Sequence, residues 1–454
     1  MVRGKRVGVY LSGLFLVFIL GMLGWFLSTV FEGEIPSVEL SSMPDFISGP
    51  LELTITASDN LRGIKRVKAI LLQEGREHVV LEKHYPFKGI LNREGIHKIE
   101  ENFALDPSKL ALSQSRVVLE VTVWDYSRRS GGDGNVAAIR HQASVDTVPP
   151  FVRAVSRLHY VNQGGTGFVV YQSSSDTVES GVLVEDMFFP GFPLTVAAKE
   201  GISCCYFPIP FNIHPESDIL LWAKDKAGNE SRSNFHCLVR RKEFAADKIT
   251  LTDGFLDRIL PYFKEFISDD SASRIKKFLE INREIRTKND LTFKSLKTNT
   301  SPRKLWEGSW VRLPNSATMA KFGDRRSYYY QGEKIDEQVH LGIDLASLAN
   351  SQIPAANSGR VICAENLGIY GLTIILDHGQ GIASVYSHLS EIKVGLGQEV
   401  KKGQFIGISG QTGLAGGDHL HFAVMAHGFP VNPIEWWDPH WINENIEKRL
   451  NVVN

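Results

Sequence analysis

The chain has 454 residues, 43% of them hydrophobic, which is enough apolar material for roughly two to four domains with packed cores. The 50 Lys and Arg residues nearly balance the 51 Asp and Glu residues, and a net charge of -1 excludes non-specific nucleic-acid binding as the main role. The four cysteines include no Cys-x-x-Cys pair, so any metal site must use histidines and carboxylates.

The N-terminal region contains 25 uncharged residues, from Val7 to Phe31. As a helix this run would rise about 37 Å, against a hydrocarbon core of about 30 Å. Basic residues precede it and glutamates follow it, so we expect a short cytoplasmic tail and export of everything after residue 34. A cleaved signal peptide is the alternative. The run is long and lacks a small-x-small cleavage site, which favours a retained single-pass anchor in the cytoplasmic membrane.

Two sets of strands follow the anchor. Alternating apolar residues in LELTITASD and RVVLEVTVWD predict strands with one buried face. Pro149 and Pro150 then indicate a linker, after which GFVVYQ, SGVLVED and DILLWAKDKAGNES predict a second set. The sequence DTVPP, which precedes the second set of strands, and the stretch AKDKAGNES resemble parts of bacterial immunoglobulin-like modules. Such modules would serve either as a spacer or as a surface that binds a partner or the cell wall.

The cysteines leave two alternatives open. Adjacent Cys204 and Cys205 lie about 3.8 Å apart at Cα, which is closer than disulfide-bonded residues usually are. Either one could reach Cys237 on a neighbouring strand, so a bridge in an oxidising compartment and free buried thiols are both open. Cys363 lies in the apolar segment RVICAE and is expected in the core.

Between residues 244 and 300, apolar residues recur at spacings of three and four, which predicts two amphipathic helices. The helices divide near SDDSAS, where Ser or Asp can cap the second one. This connector would be either a brace between the β modules and the last domain or a flap over its cleft.

Candidate site residues crowd the C-terminal third, which holds seven of the 14 histidines. In VHLGIDLA, the glycine between His340 and Asp344 lets the chain bend, so that the two side chains converge. In GGDHLHFAV, His419 and His421 are two residues apart, so both imidazoles face the same side of a strand. His388 follows the strand-like segment IASVYS.

Two histidines and one carboxylate are a suitable ligand set for catalytic zinc, because three protein ligands leave the fourth position for water. Zinc lowers the pKa of that water and polarises a carbonyl, as amide hydrolysis requires. Two further histidines beside the metal would take up a proton and stabilise the oxyanion. These motifs together, in this order, are more specific than any one of them.

Residues 306 to 436 resemble the lysostaphin/LytM-type zinc metallopeptidases, which cleave bacterial cell walls. The resemblance is carried by the segments FGDRR, HLGIDLA, IPAANSGRV, IILDHGQGIASVYSHLS, VGLGQEVKKGQFIGISGQTG, HLHF and NP. It implies one Zn²⁺ per domain with His340, Asp344 and His421 as ligands, and His388 and His419 as the catalytic pair. All five positions are filled, whereas some relatives have lost ligands and act as activators of other hydrolases.

Two positions depart from the family pattern. Asp418 stands where a proline often precedes the His-x-His motif, and Ala423 stands where an acidic residue often follows it. Neither position is a ligand, so we expect changes in loop shape or in the surroundings of the ligands.

The sequence therefore predicts a mainly β protein. It would contain a transmembrane helix, two β-sandwich modules of immunoglobulin-like type, a short helical connector and an antiparallel β metallopeptidase domain. The expected boundaries are 1–34 for the tail and anchor, 35–146 and 147–243 for the two modules, 244–300 for the connector and 301–454 for the peptidase domain.

The expected function is hydrolysis of peptide bonds in peptidoglycan cross-links or stem peptides, by an exported enzyme held at the cytoplasmic membrane. The catalytic domain would be periplasmic in a Gram-negative cell, and the β modules would offer a surface for a protein partner. The alternative is a non-catalytic activator or scaffold of another wall hydrolase. A form held inactive by the connector lies between the two, and its fragment from residue 301 onward would be active.

Overall fold

A computed structural model describes residues 2–194 and 200–452. The chain divides into two compact units, Met1–Pro149 with Lys226–Asn229, and Pro150–Asp225 with Glu230–Asn454. The boundary after Pro149 coincides with the linker predicted from the Pro-Pro pair. The division into five segments is finer than this and stays a prediction. The mainly β character of the chain is confirmed.

The first unit begins with helix α1 (Val2–Val30). Its residues Gly8–Val30 have a mean hydropathy of 2.1 and are long and apolar enough to cross a membrane. Their large apolar side chains are exposed, unlike those of a core helix in a globular domain.

The rest of this unit is the first β module, in which a three-stranded sheet (order β1-β3-β6) and a five-stranded sheet (order β2-β8-β7-β4-β5) share one apolar core. The predicted alternation is confirmed, because every second residue from Val117 to Val123 is fully buried. Short 3-10 turns occur at Ile90–Asn92 and Ser130–Gly132. The strands are β1 (Ser37–Leu40), β2 (Phe46–Ile47), β3 (Leu51–Ser58), β4 (Ile64–Gln73), β5 (Arg76–His84), β6 (Lys98–Leu105), β7 (Arg116–Asp125) and β8 (Val136–Val145).

The second unit opens with the second β module, which has two four-stranded sheets (β14-β15-β11-β9 and β13-β12-β16-β17) and a parallel pair (β10-β18). All four cysteines of the chain are free thiols, so the alternative of a disulfide bridge is not realised. The strands are β9 (Val152–Ala154), β10 (His159–Asn162), β11 (Thr166–Ser173), β12 (Thr177–Val184), β13 (Met187–Pro190), β14 (Phe192–Pro193), β15 (Ile202–Pro208), β16 (Ile219–Asp225), β17 (Glu230–Asn234) and β18 (Cys237–Arg240).

The connector differs from its prediction at its start, where residues expected before or within a helix form strand β19 (Ala246–Leu251). Adjacent β-branched residues, Ile249 and Thr250, favour extended backbone there. Three helices follow: α2 (Asp253–Ile259), α3 (Arg274–Glu280) and α4 (Arg286–Ser295). A 3-10 turn (Leu260–Phe263) follows α2, a π turn (Ile281–Ile285) joins α3 to α4, and a second 3-10 turn (Leu296–Asn299) follows α4. As predicted, a serine caps the second helix, with Ser273 accepting a hydrogen bond from the Lys276 amide.

The C-terminal domain is built on a ten-stranded sheet whose main order is β20-β23-β30-β27-β26-β25-β28, with β24, β29 and β31 paired beside it. A smaller sheet, β19-β21-β22, hydrogen-bonds the connector to this domain. The C-terminal domain also contains a 3-10 turn, Gly368–Tyr370, and a π turn, Asn443–Glu447. The strands are β20 (Ala317–Ala320), β21 (Arg325–Tyr330), β22 (Glu333–Val339), β23 (Ile343–Ala346), β24 (Gln352–Pro354), β25 (Gly359–Asn366), β26 (Leu372–Gly379), β27 (Ile382–Ile392), β28 (Glu399–Val400), β29 (Phe405–Ser409), β30 (Leu420–Ala426) and β31 (Phe429–Val431), and the helices are α5 (Ile434–Trp437), α6 (Pro439–Ile442) and α7 (Lys448–Leu450).

The second β module and the C-terminal domain share a hydrophobic core. Phe168 and Tyr206 of the module lie in the same buried cluster as Trp436, which follows the ten-stranded sheet. Arg449 on α7 donates a hydrogen bond of 2.7 Å to the Phe168 carbonyl, which fixes the C-terminal helices on the module.

Candidate metal centre and active site

The candidate residues come together because β30 lies between β23 and β27 in the sheet. Asp344 on β23 is directly opposite His421 on β30, and Ser387 on β27 is opposite His421 from the other side. His340 lies just after β22, at the turn that leads into β23. Antiparallel pairing therefore places side chains from three distant segments at one end of the sheet.

Three of these side chains converge on one point. His340 Nε2 lies 2.9 Å from Asp344 Oδ1 and 3.0 Å from His421 Nδ1, and the last two atoms are 2.9 Å apart. All three residues are buried. A common ion about 2.0 to 2.2 Å from each ligand fits such a triangle, which makes the group compatible with a metal ion.

The surroundings leave these atoms free to act as ligands. The His340 Nδ1–H donates to the Lys321 carbonyl at 3.0 Å, so the lone pair of His340 is on Nε2, toward the group. Arg326 donates to Asp344 Oδ2 at 2.9 Å, which leaves Oδ1 facing the two imidazoles. Convergence of acceptor atoms on one buried point favours a cation there.

His388 reaches the same face through a break in the strand. Strand β27 carries one extra residue relative to β26 between Tyr386 and Leu389, and His388 has a φ of 63° in the left-handed region. A bulge of this kind re-aims a side chain that regular alternation would place on the opposite face. The His388 ring lies 4.8 Å from the His419 ring and 5.8 Å from the His421 ring, measured between centroids.

His388 and His419 are oriented in the same way. The Nδ1–H of His388 donates to the Thr412 carbonyl at 2.8 Å, and the Nδ1–H of His419 donates to the Gly417 carbonyl at 2.8 Å. Each ring therefore presents a lone pair on Nε2. The Nε2 of His419 lies 3.6 Å from Asp344 Oδ1, so the lone pair of His419 is directed at the point where His340, Asp344 and His421 converge.

Gly342 is required by the close approach of β30. A Cβ atom at this position would lie 2.5 Å from both Cε1 and Nε2 of the His421 ring. Side-chain atoms do not tolerate that separation, so only glycine lets the turn between His340 and Asp344 pass over the imidazole.

Burial dominates the electrostatics of the site. It lowers the pKa of His421 to about 4, and together with the neighbouring His419 and His421 it lowers the pKa of His388 well below the ordinary value. Burial alone would raise the pKa of Asp344, but attraction and hydrogen bonds from His340 and His421 outweigh it and hold this pKa well below its usual range. The low pKa values keep the imidazoles of His388 and His421 neutral beside the Asp344 carboxylate, which is the form that binds a metal ion.

Two polar residues of this domain, His378 and Asp418, have structural roles outside the converging group. The His378 ring is buried against Trp310, 4.4 Å away, and bonds the Ser358 carbonyl, which is a structural role. Asp418 accepts hydrogen bonds from Ser409 and from the backbone amide of Asn350, so it shapes the loop before β30.

Sequence reasoning missed the partners that orient the ligands. Nothing in the segment FGDRR indicates that Arg326 would meet Asp344, yet its guanidinium is bound to that carboxylate. The Lys321 and Thr412 partners are backbone carbonyls, which residue type cannot reveal. Tyr370 also lines the cleft, with its ring centroid 5.5 Å from that of His421.

The connector forms one wall of the cleft beside these residues. The cavity beside His340, Asp344 and His421 has a volume of about 200 Å³. Its far side is formed by four connector residues, Leu251, Phe255, Phe278 and Arg286. Ala423 lies two residues beyond His421 on β30 and packs against buried connector residues. The departure at this position thus continues an apolar surface that the helices cover.

Comparisons with known proteins agree with this geometry. Residues 338–433 match peptidase family M23. The peptidoglycan DD-endopeptidase ShyA of Vibrio cholerae is 36% identical over 96 residues, which are 21% of this chain and 22% of that protein. The murein hydrolase activator EnvC of Escherichia coli is 32% identical over 106 residues, 23% of this chain and 25% of that protein.

Among solved structures, the catalytic domain of lysostaphin from Staphylococcus simulans is 29% identical and matches 29% of this chain and 98% of that domain, with a TM-score of 0.25. The similarity to ShyA and EnvC spans about a quarter or less of the length of each of these two relatives. The five histidine and aspartate positions lie within the matched segment, and residues 338–433 form a domain of peptidase family M23 of the LytM/lysostaphin type.

Proposed function

We propose that this protein is a membrane-anchored zinc metalloendopeptidase that hydrolyses peptide bonds in peptidoglycan cross-links or stem peptides. The observation that carries the proposal is the convergence of His340, Asp344 and His421 on one buried point, with His388 and His419 beside it. The similarity to a peptidoglycan DD-endopeptidase over the same residues supports the substrate class.

The three converging residues would hold the zinc ion. A zinc ion at this position supplies Lewis acidity, which polarises a peptide carbonyl and lowers the pKa of water. Arg326 keeps Asp344 oriented, and the Lys321 carbonyl keeps the His340 lone pair on Nε2. These contacts prepare the ligand set before a metal arrives.

His388 and His419 would handle the proton. Each ring has Nδ1 fixed to a backbone carbonyl and Nε2 available, so each can accept a proton from the attacking water. A ring that has accepted the proton becomes a donor, as stabilisation of the developing oxyanion requires. The two adjacent rings can thus divide acid and base work between them.

The anchor places this chemistry outside the cytoplasm in our proposal. Residues Gly8–Val30 are 23 residues, about 35 Å of helix, which exceeds a hydrocarbon core of about 30 Å. The basic residues before the span favour a cytoplasmic N-terminus. The β modules, predicted to be immunoglobulin-like, would then hold the peptidase domain near the wall or bind a protein partner.

The connector is proposed to keep the cleft closed. A cavity of about 200 Å³ is smaller than the roughly 300 to 1,000 Å³ of ordinary ligand pockets, so a cross-linked peptide cannot enter without movement of a wall. The Ile369 amide donates to the Asn289 side chain on α4, and Arg258 on α2 donates to the Gly416 carbonyl at 2.9 Å. The Arg258 contact lies at the exposed rim, where its loss should ease opening.

The second candidate function is that of a non-catalytic activator. The similarity to the murein hydrolase activator EnvC favours it, since that relative shares the family domain. A complete set of five site residues favours the enzyme, because an activator does not need them. The two functions predict opposite results with isolated peptidoglycan.

The test uses the full chain in detergent, loaded with zinc and incubated with isolated peptidoglycan, with released fragments identified by mass spectrometry. We expect new termini at one type of amide bond, and we expect none with His421→Ala. His440→Ala is the matched control, because His440 is an exposed histidine outside the site. The full chain replaces a fragment from residue 301, since that fragment would lack β19 and the core shared with the second module.

A connector variant separates a closed enzyme from an activator. Arg258→Ala should increase the rate of release, whereas Lys276→Ala, at another exposed basic position of the connector, should not. If neither the wild type nor Arg258→Ala releases fragments while zinc is verified as bound, the endopeptidase proposal is wrong and the activator function gains support.

A further inference from the structure

Three carboxylates of the first unit are buried together where the chain leaves α1. Glu32 follows the helix, Asp59 follows β3 and Asp125 ends β7, and one oxygen of each lies within 4.8 Å of the others. Their exposed fractions are 8%, 1% and 0%. Buried carboxylates are unfavourable unless hydrogen bonds or cations compensate their charge, so their partners must be accounted for one by one.

Asp59 has one oxygen that the protein leaves unpaired. Its Oδ1 accepts hydrogen bonds of 2.6 Å from the backbone amides of Arg62 and Gly63. Its Oδ2 is buried and has no hydrogen-bond partner in the described part of the chain. An unpaired carboxylate oxygen in the interior is a group that requires a donor or a cation.

Most of the other side-chain oxygens have backbone donors: the Glu34 amide donates to Glu32 Oε2, and the Ser127 and Asn135 amides donate to Asp125 Oδ1. The shortage of donors lies around the Asn135 side chain. The Nδ2 of Asn135 lies within 3.2 Å of four oxygens, which are Glu32 Oε1, Asp125 Oδ2 and the backbone carbonyls of Glu32 and Glu34. An amide nitrogen has two hydrogens, so it satisfies at most two of these four acceptors. The Ser127 hydroxyl also donates to the Glu32 carbonyl at 2.8 Å, so the two amide hydrogens serve the three acceptors that remain, and one of these is left without a hydrogen.

The buried cationic side chain of Arg62 does not neutralise the group by direct pairing. Arg62 donates to the Leu91 carbonyl at 2.9 Å and to the Tyr126 carbonyl at 3.4 Å, and no ion pair between Arg62 and the three acids occurs among the described residues. Arg62 attracts all three acids electrostatically, but it is one buried cation beside three carboxyl groups.

We propose that these carboxylates form a Ca²⁺ site of the first β module. Oxygen donors of carboxylates and carbonyls, without nitrogen or sulfur, are the ligands that Ca²⁺ prefers, and they distinguish this site from the zinc site. Rotation of the Asn135 side chain about χ2 would present Oδ1 in place of Nδ2 and add a further oxygen. The bound ion would join the segment after α1 to the loop that follows β7.

A similar sequence pattern precedes the second module. Glu32 lies four residues before Pro36, and Asp146 lies four residues before Pro150. Asp125 ends β7 and is followed by Gly134-Asn135, and Asp225 ends β16 and is followed by Gly228-Asn229. Asn229 donates to the Asp146 carbonyl at 3.0 Å, as Asn135 does to the Glu32 carbonyl. An acid that precedes each β module and accepts a hydrogen bond from an asparagine side chain through its backbone carbonyl therefore occurs twice in the chain.

The test measures Ca²⁺ binding by the zinc-saturated full chain in detergent. Extracellular modules typically bind Ca²⁺ with a Kd on the order of 10⁻⁴ to 10⁻³ M. The test therefore uses about 5 mM Ca²⁺, which is about 5 to 50 times such a Kd. We expect the Tm of the first unit to rise by about 5 °C and hydrogen exchange to slow at residues 31–34 and 126–135. Glu32→Gln and Asp59→Asn should each abolish both effects.

Glu34→Gln is the matched control, because Glu34 is an exposed acid of the same segment whose only role at the site is through its backbone. It should retain the full response to Ca²⁺. The proposal is wrong if the wild type shows neither effect, or if both effects persist in Glu32→Gln and in Asp59→Asn. If one of these variants does not fold, the local exchange response of the wild type still decides the question.

Discussion

The buried carboxyl of Glu435 should make the stability of the second unit depend on pH. Glu435 lies on α5 and accepts hydrogen bonds from the Thr166 amide at 2.8 Å and from Asn162 at 3.2 Å. Burial raises the pKa of this carboxyl to about 7, although the two hydrogen bonds act in the opposite direction. No salt bridge to Glu435 occurs among the described residues.

The sign follows from proton linkage. A carboxyl whose pKa is about 7 when folded and 4.5 when unfolded takes up a proton on folding, so stability falls as pH rises between those values. At about 1.4 kcal/mol for each pH unit, the loss amounts to roughly 3 kcal/mol by pH 8. Glu435→Gln carries no charge and should escape this loss while keeping an acceptor for Thr166.

Calorimetry of the full chain at pH 5, 6, 7 and 8 tests this prediction. We expect Glu435→Gln to match the wild type near pH 5 and to melt about 5 to 10 °C higher at pH 8, for the transition of the second unit. Glu444→Gln removes an acid of the same C-terminal segment that pairs with Lys448 at the surface, and it should leave the pH profile unchanged. A Tm difference that is the same at every pH would refute the reasoning.

Three further outcomes follow from the structure. Gly342→Ala should displace the His421 ring and reduce zinc retained after dialysis at least about tenfold, whereas Gly395→Ala, with nothing near its Cβ, should retain it. Arg326→Gln should weaken zinc affinity by about 10- to 100-fold in a competition assay with a chelator, and unchanged affinity would contradict the role given to its bond with Asp344. A thiol reagent should detect four cysteines in the unfolded chain without prior reduction, and fewer would indicate a disulfide.

The sequence was most informative where residue type and spacing determine local geometry. The alternation of Val117 to Val123 and the turn around Gly342 follow from strand periodicity and from glycine chemistry, and both are present in the structure. A His-x-His spacing likewise places two imidazoles on one face of a strand. Each of these predictions needs only a few consecutive residues.

Features that depend on contacts between distant segments were out of reach. The bulge that turns His388 toward the site arises from pairing with β26, and Arg326 meets Asp344 only because β21 and β23 are brought together. Spacing predicted the connector helices and left a brace or a flap as alternatives, but it did not give their packing on the sheet face that carries His421. Strand β19 forms because β21 offers it a partner, a contact that no local pattern reveals.

The core shared by the second β module and the C-terminal domain has a consequence for how the protein can be divided. Phe168, Tyr206 and Trp436 would all be exposed by a cut between residues 240 and 301. The segment recognised as the family domain, 338–433, is therefore smaller than the body that folds cooperatively. Exchange of the catalytic domain with that of a relative would leave the apolar surface of the second β module without a matching partner. We therefore expect the module and the domain to evolve as one unit.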